Sequence, residues 1–365
     1  NRLSVSGDYY RRYTTDMYTA SVALPAVYGT GSPKGNNAEM KTDGWELSLS
    51  WRDSFKLGGK PFDYSIKAMV WDSKSVITKY VNDTGSLGTV KGFIENGGSP
   101  SSYYVGMTVG EIWGYTVAGL FRDQADIDSS AIHDFVQASD KVTRPGQVKI
   151  ADLDGNGFID PGNFAVDDHG DLRIIGNQSP RYRYGVNLSA RWNGIGLSVF
   201  LQGVGARDWY PGSDAGMFWG KYGRPFFALI PSIHNYTDDM YSAERNNWDT
   251  AYWPRMTTYQ SNGTKNWTRL LEIPNTRYIQ SAAYLRVKNI QLDYSFPKHI
   301  CSAIRLQGLK IYVNAENLFT FTPLHKYAPN FDPEGLSYDS DFASAADGYT
   351  YPILKSVTVG VNITF

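Results

Sequence analysis

Apolar and polar residues alternate with a period of two in eight segments of this chain, and this pattern limits the fold more than any other feature. Between Tyr182 and Trp192, for example, apolar side chains stand at the even positions and polar or small ones at the odd positions. Successive side chains of a strand point to opposite sides, so each segment predicts a strand with one apolar face. We therefore predict an all-β protein built on an antiparallel sheet. The segments are 3–9, 45–52, 62–70, 181–192, 195–201, 290–296, 309–321 and 357–365.

The predicted strands are long enough to cross a membrane. Strands of soluble proteins usually have about 5–6 residues, whereas about eleven residues at ~3.3 Å each, tilted by ~40°, cover roughly 28 Å. Aromatic residues end the apolar segments, as in Trp45 and Trp51 or Tyr182 and Trp192, where the two membrane interfaces favour them. These features predict a transmembrane β-barrel. A large soluble β-sandwich stays open as the alternative, because alternation is the same in both.

Composition excludes several other classes of protein. Lys and Arg number 35 against 36 Asp and Glu, and this balance argues against a nucleic-acid binder. Aromatic residues make up 15% of the chain and 36 residues are Gly, which argues against disorder and coiled coils. The single cysteine, Cys301, excludes an intrachain disulfide and a multi-cysteine metal site. The sequence contains no run of about 18 apolar residues, so it predicts no transmembrane helix.

Short and long connections between the predicted strands alternate along the chain. Asn193-Gly194 predicts a tight hairpin turn, and 55–61 and 297–308 are short as well. Such alternation is expected of an up-and-down barrel with short turns in the periplasm and long loops outside the cell. It requires that 72–180 contribute no barrel strand or an even number, although 103–121 reads as strand-like. The long connections are 13–43, 72–180, 206–282 and 322–352.

Six blocks of sequence resemble barrel strands of SusC/RagA-type TonB-dependent outer-membrane transporters. They stand in the order of that family, and the resemblance covers nearly the whole chain. The closing block, Val357-Thr-Val-Gly-Val-Asn-Ile-Thr-Phe365, also resembles the end of that family's barrel. The blocks are 3–12, 44–53, 182–189, 284–297, 313–321 and 357–365.

The resemblance implies that residues 1–365 form roughly the last eight strands of a barrel of about 22 strands with long extracellular loops. The N-terminal plug domain and the early strands are then absent from this chain. The implied function is import of oligosaccharides or oligopeptides across the outer membrane of a Gram-negative bacterium. A SusD-like surface lipoprotein serves as the lid, TonB supplies energy through the missing N-terminal part, and a dimer of transporter complexes in the lipid bilayer is expected. Phe365 resembles the C-terminal aromatic residue read during barrel assembly.

Residues 152–160, Asp-Leu-Asp-Gly-Asn-Gly-Phe-Ile-Asp, follow the pattern of an EF-hand calcium loop. Ile159 is expected to pack inward. Asn163 replaces the bidentate Glu of position 12, so we expect a weak structural Ca²⁺ site. The alternative is a turn that folds without metal through Asx hydrogen bonds, and Asp171 is interpreted as solvated. The ligand candidates are Asp152, Asp154, Asn156, the Phe158 carbonyl and Asp160.

The 206–282 connection is rich in aromatic residues that suit either cargo, since sugar rings stack on flat aromatic faces and peptides bury apolar side chains against them. The alternative is that these residues fold the loop onto itself. The substrate-contact candidates are Trp209, Tyr210, Trp219, Trp248 and Trp253.

Catalysis has little support in the sequence. The five histidines show no metal-ligand pairing, and no nucleophile elbow or phosphate-binding loop is present. We expect no enzyme. The competing hypothesis is a secreted soluble carbohydrate-active enzyme or binding module with a structural calcium ion. Two weaker hypotheses are a siderophore or vitamin receptor and a complete eight-stranded barrel. The long connections, 72–180 and 206–282, are too long for a complete barrel of only eight strands.

Overall fold

A computed structural model describes residues 2–20, 27, 29–31, 33–88, 100, 102–133, 143–211, 215–219, 239–255, 273–336 and 353–365. Among these residues, no helix has the length and apolar character needed to span a bilayer. The strands are β1 (Leu3–Ala20), β2 (Lys34–Leu57), β3 (Lys60–Lys79), β4 (Glu111–Tyr115), β5 (Val117–Leu120), β6 (Val148–Ile150), β7 (Leu172–Asn177), β8 (Arg181–Trp192), β9 (Ile195–Ala206), β10 (Asp208–Trp209), β11 (Gln280–Ser281), β12 (Tyr284–Ser295), β13 (Gly308–Phe321) and β14 (Ser356–Thr364). The helices are α1 (Gln124–Asp128), α2 (Gly216–Trp219), α3 (Lys298–Ala303) and a 3₁₀ turn, Pro323–Lys326.

The eight predicted strands form one antiparallel sheet in the order β1-β2-β3-β8-β9-β12-β13-β14. The prediction of the strands and their pairing is confirmed. The register places one apolar residue of every strand in a single row across the sheet. In the described part of the chain the edge strands β1 and β14 do not pair with each other. The row consists of Leu3, Trp51, Ile66, Leu188, Val199, Ile290, Ala315 and Val357.

The face that carries this row, called the apolar face below, is exposed along its length. Leu49 is 45% exposed and Val359 is 72% exposed. Trp45 marks the end of the band near the long loops. Phe55 marks the other end, where its ring lies 5.0 Å from that of Phe62. Ten residues separate Trp45 from Phe55, which corresponds to roughly 25 Å at a ~40° tilt and matches the apolar band of membrane barrels.

All described connections follow the predicted alternation. Gly58–Gly59, Asn193–Gly194 and the α3 segment join strands at one end of the sheet, and the long loops leave from the other end. Asn193 and Gly194 both have positive φ, 48° and 87°, as a type I′ turn requires. Among its described residues, the loop between β3 and β8 adds no strand to the main sheet, because β4 pairs with β7 and β5 pairs with β6.

Three strands extend further than the sequence predicts. β1 continues to Ala20, β2 begins at Lys34 and β3 ends at Lys79, so the predicted 13–43 connection is mostly strand. On the long-loop side of Trp45, the extended parts of β1, β2 and β3 leave the apolar band, and polar side chains occupy both faces of these strands. Backbone pairing continues there without hydrophobic alternation, which is why the pattern ended too early. Trp71 directly follows the predicted segment 62–70, where an aromatic residue at the end of the apolar band is expected, but it lies opposite Glu46 on the polar face.

The buried core lies in the long loops rather than in the sheet. Leu87, Trp113, Phe121, Trp253 and Tyr278 are each less than 5% exposed and belong to the loops. The sheet has a lipid-compatible face and a polar face, so it leaves little apolar surface for an internal core. The loops instead bury apolar side chains against one another, as a soluble domain does.

We predict that Gly203→Ala weakens assembly whereas Gly7→Ala does not. A Cβ at Gly203 would collide with the Tyr284 carbonyl oxygen and with the Tyr184 ring, and overpacking of this kind costs about 1–3 kcal/mol. At Gly7 the nearest atom to a new Cβ is 3.8 Å away. Measured in the full protein, the folded fraction that resists SDS without heating should fall for Gly203→Ala only. Equal folded fractions for both variants would contradict the register.

Candidate functional site

The acidic loop at 152–160 begins two residues after β6, and its first carboxylate is fixed by the backbone. Asp152 accepts hydrogen bonds from the Gly155 N–H at 2.7 Å and from the Gly157 N–H at 2.9 Å. The hydrogen bond from Gly157 is the largest cause that lowers the pKa of Asp152. Gly157 has a φ of 83°, a value that favours glycine at the sharp turn of such loops. The loop therefore presents an ionised carboxylate in a defined orientation.

Asp171 joins this loop, and its interpretation as a solvated residue is wrong. The residue is 0% exposed and accepts hydrogen bonds from the Leu153 N–H at 2.6 Å and the Asp160 N–H at 3.2 Å. Carboxylate oxygens of Asp152, Asp154 and Asp171 lie within 4.8 Å of one another. Burial raises the pKa of Asp171, and the charges of Asp154 and Asp152 act in the same direction. In the sequence Asp171 stands eleven residues after Asp160 with no motif that joins it to the acidic loop.

Asn156, another predicted ligand, makes hydrogen bonds within the loop beside this carboxylate cluster. Asn156 turns its amide nitrogen toward Asp154 and Asp160, with 3.2 Å to an oxygen of each. Its amide oxygen accepts the Phe158 N–H at 2.7 Å. These contacts are the Asx hydrogen bonds of the metal-free alternative. Three carboxylates are nevertheless a donor set of hard oxygens, which suits Ca²⁺ better than a softer metal.

The acidic loop is anchored to the loop core by Ile159 and Ile132. Ile159 is 1% exposed, so its predicted inward packing is confirmed. The Ile132 N–H donates to the Gly157 carbonyl at 2.8 Å, and the Ile159 N–H donates to the Ile132 carbonyl at 2.8 Å. The neighbouring side chain, His133, is itself buried at 3% exposure. The acidic loop is thus part of the same folded unit as Ile132 and His133.

Four of the five aromatic residues proposed to contact cargo are buried inside the loops. Trp209, Tyr210, Trp219 and Trp253 are at most 4% exposed, and the ring of Trp253 stacks on that of Tyr278 at 5.6 Å. Rings packed in this way have no free face, so this arrangement favours the alternative that they fold the loops.

Trp248 is only partly buried, and the Arg122 guanidinium lies 5.8 Å from the centroid of its ring. Contact with cargo stays a prediction for Trp248.

A buried charge cluster on β12, which the sequence did not reveal, ties the last long loop to the sheet. Arg286 is 3% exposed and bonds to Asp332 at 2.5 Å, Glu334 at 2.7 Å and the Thr320 hydroxyl at 3.0 Å. Lys288 reaches Glu334 at 2.8 Å. A buried charge is stable only when paired in this way. The cluster holds 332–334 against the rim of the sheet near the long loops.

Known proteins similar to this chain are outer-membrane receptors. It is 25% identical over its whole length to TonB-dependent receptor P3 of Formosa agariphila. It is 22% identical over 98% of its length to TonB-dependent receptor P26 of the same organism. The chain spans 32% of each of these relatives, about a third of their length. No protein-family model matches the chain.

Solved structures give the same result for the fold. The structure of the RagAB peptide transporter covers the whole chain with a TM-score of 0.61 and 18% identity. The RagAB peptide importer in its closed-closed state gives a TM-score of 0.64 with 19% identity. This chain matches 34% of each of those chains.

The resemblance to the C-terminal portion of SusC/RagA-type TonB-dependent transporters is therefore confirmed, with an antiparallel membrane sheet and a location in the outer membrane of a Gram-negative bacterium. These relatives and neighbours are named as receptors and transporters, in agreement with the expectation that the chain is not an enzyme.

We predict that the loop unit around the acidic loop loses stability in acid because of His133. Its Nδ1 bonds to the Ala131 carbonyl at 2.8 Å, and its Nε2 accepts the Ile150 N–H at 3.0 Å, which only a neutral ring can do. Burial lowers the pKa of His133, and the charge of Lys149 acts in the same direction. When the loop unit opens, His133 becomes exposed to water and binds a proton more readily than in the folded unit. The free energy of opening should therefore fall as the pH drops below about 6.5.

Hydrogen exchange of peptides covering 117–133 and 148–172 in the full protein should accelerate between neutral pH and about pH 5.5, after correction for the intrinsic rate. His133→Gln should abolish this additional pH dependence. His299→Gln, a control in exposed α3, should retain it. If hydrogen exchange in His133→Gln kept the same pH dependence, another titrating group would be responsible for it.

Proposed function

We propose that this chain forms the C-terminal wall and extracellular loops of an active importer of oligosaccharides or oligopeptides in the outer membrane. The observation that carries the proposal is the eight-stranded sheet with short turns at one end and folded loops at the other, in a chain that matches TonB-dependent receptors along its length. In hydrocarbon both edges of the sheet need further strands. We propose that other parts of the protein supply them together with a plug that responds to TonB.

The structure of the loops supports a partner that covers them as a lid. Aromatic packing and the Arg286 cluster hold the loops as a stiff rim above the polar face of the sheet. A stiff rim suits repeated docking of a surface protein, because little order is lost on each closure. We propose a SusD-like lipoprotein for this role, with cargo held between lid and rim. Pairing of two such complexes stays a prediction.

Cargo is then released inward along the polar face when TonB displaces the plug. That face carries charged side chains of both signs, including Glu46 near the long-loop end of the band and Arg52 toward the short-turn end. Mixed charge is compatible with peptides and with hydrated glycans. The RagAB structures are described as peptide importers, which supports the peptide class for this chain without excluding the glycan class.

We predict that cells lacking the full-length gene, or lacking TonB, lose uptake of one labelled pool, either oligopeptides or oligosaccharides. Trp248→Ala should lower that uptake about two- to tenfold, the expected effect of one aromatic contact. Trp51→Ala serves as the control, since that side chain lies on the apolar face, and uptake is normalised to protein in the outer membrane. Uptake of both pools that is independent of TonB would overturn the proposal.

Phe365 lies at the end of β14 and is 82% exposed. We propose that it is read by the barrel-assembly machinery. Its deletion should lower the amount of protein in the outer membrane, and unchanged amounts would reject this role.

We also propose that Asp152, Asp154 and Asp171 bind a structural Ca²⁺, with Asn156, the Phe158 carbonyl and Asp160 as further candidate ligands. The fit rests on the donor chemistry, since three close carboxylates repel one another and a divalent cation would relieve that repulsion. The bound ion would join the acidic loop to β7 through Asp171. Its role would be to stiffen the loops, not to act on cargo.

We predict that Ca²⁺ slows hydrogen exchange across 152–171 of the full protein. At a concentration about tenfold above Kd, binding stabilises the loop by about 1.4 kcal/mol, or roughly a tenfold slower opening. Asp171→Asn should remove the effect. Asp167→Asn, a nearby exposed carboxylate, should keep it. Equal exchange in Ca²⁺ and in chelator would reject the site, and an equal effect of Mg²⁺ would reject its selectivity.

A further inference from the structure

A row of charged side chains crosses three strands on the apolar face, directly beyond the aromatic residues. The register aligns Arg11 of β1 with Asp43 of β2, and Asp43 with Lys74 of β3. The preceding row contains Tyr9, Trp45 and Asp72, and the Asp72 carboxylate is buried in an ion pair with Arg181 at 2.5 Å. No register shift interrupts this part of β1, β2 or β3, so these side chains point the same way as the lipid-facing residues below them.

One carboxylate stands among three cations in this patch. Asp43 bonds to the Arg11 Nε at 2.5 Å and to the Lys41 Nζ at 3.0 Å. Lys74 lies beside it in the register. The patch of Arg11, Lys41, Asp43 and Lys74 therefore carries a net charge of +2, from three positive charges and one negative charge. The Arg11 side chain is 46% exposed and that of Lys41 is 32% exposed, so both remain accessible to an anion.

The depth of the patch identifies its surroundings. Trp45 marks the end of the apolar band, and Asp43 lies one strand repeat beyond it, about 5 Å further along the membrane normal. This is the level of lipid headgroups, on the side of the long loops and hence of the outer leaflet. A positive patch on the outward face at this level meets headgroups rather than cargo, which moves along the polar face.

We infer that Arg11, Lys41 and Lys74 bind the phosphate groups of an anionic glycolipid in the outer leaflet. Charge complementarity selects a phosphate, since Arg and Lys pair with its oxygens. Tyr9 is 68% exposed and Tyr13 is 63% exposed on the same face, and their rings flank the patch at the level where a lipid's sugar and upper acyl chains lie. Asp43 holds Arg11 and Lys41 toward this position. The exposed apolar side chains further down the same face, such as Leu47 and Leu49, favour a lipid over a free anion.

The inference is tested with the full protein in phosphatidylcholine nanodiscs that contain lipid A with its phosphates or lipid A without them. Native mass spectrometry then counts the lipid A molecules retained after release into detergent. Lys41→Gln and Lys74→Gln should each lower retention of phosphorylated lipid A about fivefold, the effect expected of one lysine at a lipid surface. Lys67→Gln lies on the polar face of β3 and should retain as much lipid as the unchanged protein.

Resistance to SDS without heating verifies that every variant is folded. Equal retention in all folded variants would overturn the inference. If lipid A without phosphates were retained as well as lipid A with phosphates, the inference would also be overturned, because binding would then not depend on the phosphate charge. If inorganic phosphate binds the patch and lipid A does not, the site belongs to an aqueous anion and the lipid assignment is wrong.

Discussion

The structure depends on the need of every backbone N–H and C=O in hydrocarbon to find a partner within the protein. Water is absent there, and an unpaired group costs several kcal/mol. The antiparallel ladder meets this need for the six inner strands, each paired on both sides. Once the ladder exists, side chains are free to divide between a lipid-compatible face and a polar face. Because backbone pairing holds the strands together, the described sheet does not need an apolar core of its own.

The loops solve a different problem, since they are surrounded by water and need a core of their own. Their rings pack edge to face around Trp219 and Trp253, with centroids 6.3 Å apart. Their charges are used where the loops meet the sheet, at Arg286 with Asp332 and Glu334. Removing one partner of such a cluster leaves a buried charge unpaired, which is strongly destabilising. The described parts of the loops are therefore held to one another and to the sheet.

The two ends of the apolar band place different chemistry in contact with the protein's surroundings. At the short-turn end, aromatic rings such as Phe55 and Phe62 end the band next to tight turns. At the other end the strands continue beyond the membrane, and their outward face becomes charged. Long strands thus carry an apolar surface on one face of the sheet and a polar surface on the other face at the same height. The two surfaces are separated by the thickness of one sheet.

The sequence by itself determined the eight strands within the apolar band, their order, the face on which their alternating apolar side chains lie, and the ends with short or long connections. Those properties follow from a period of two and from turn residues such as Asn193-Gly194, which act between neighbours in the chain. The tertiary structure alone decided that Asp171 joins Asp152, that Trp209 and Trp253 are buried, and that Arg286 meets Asp332. These contacts join segments far apart in the chain. Their partners depend on how the loops close over the sheet, and no local pattern records that closure.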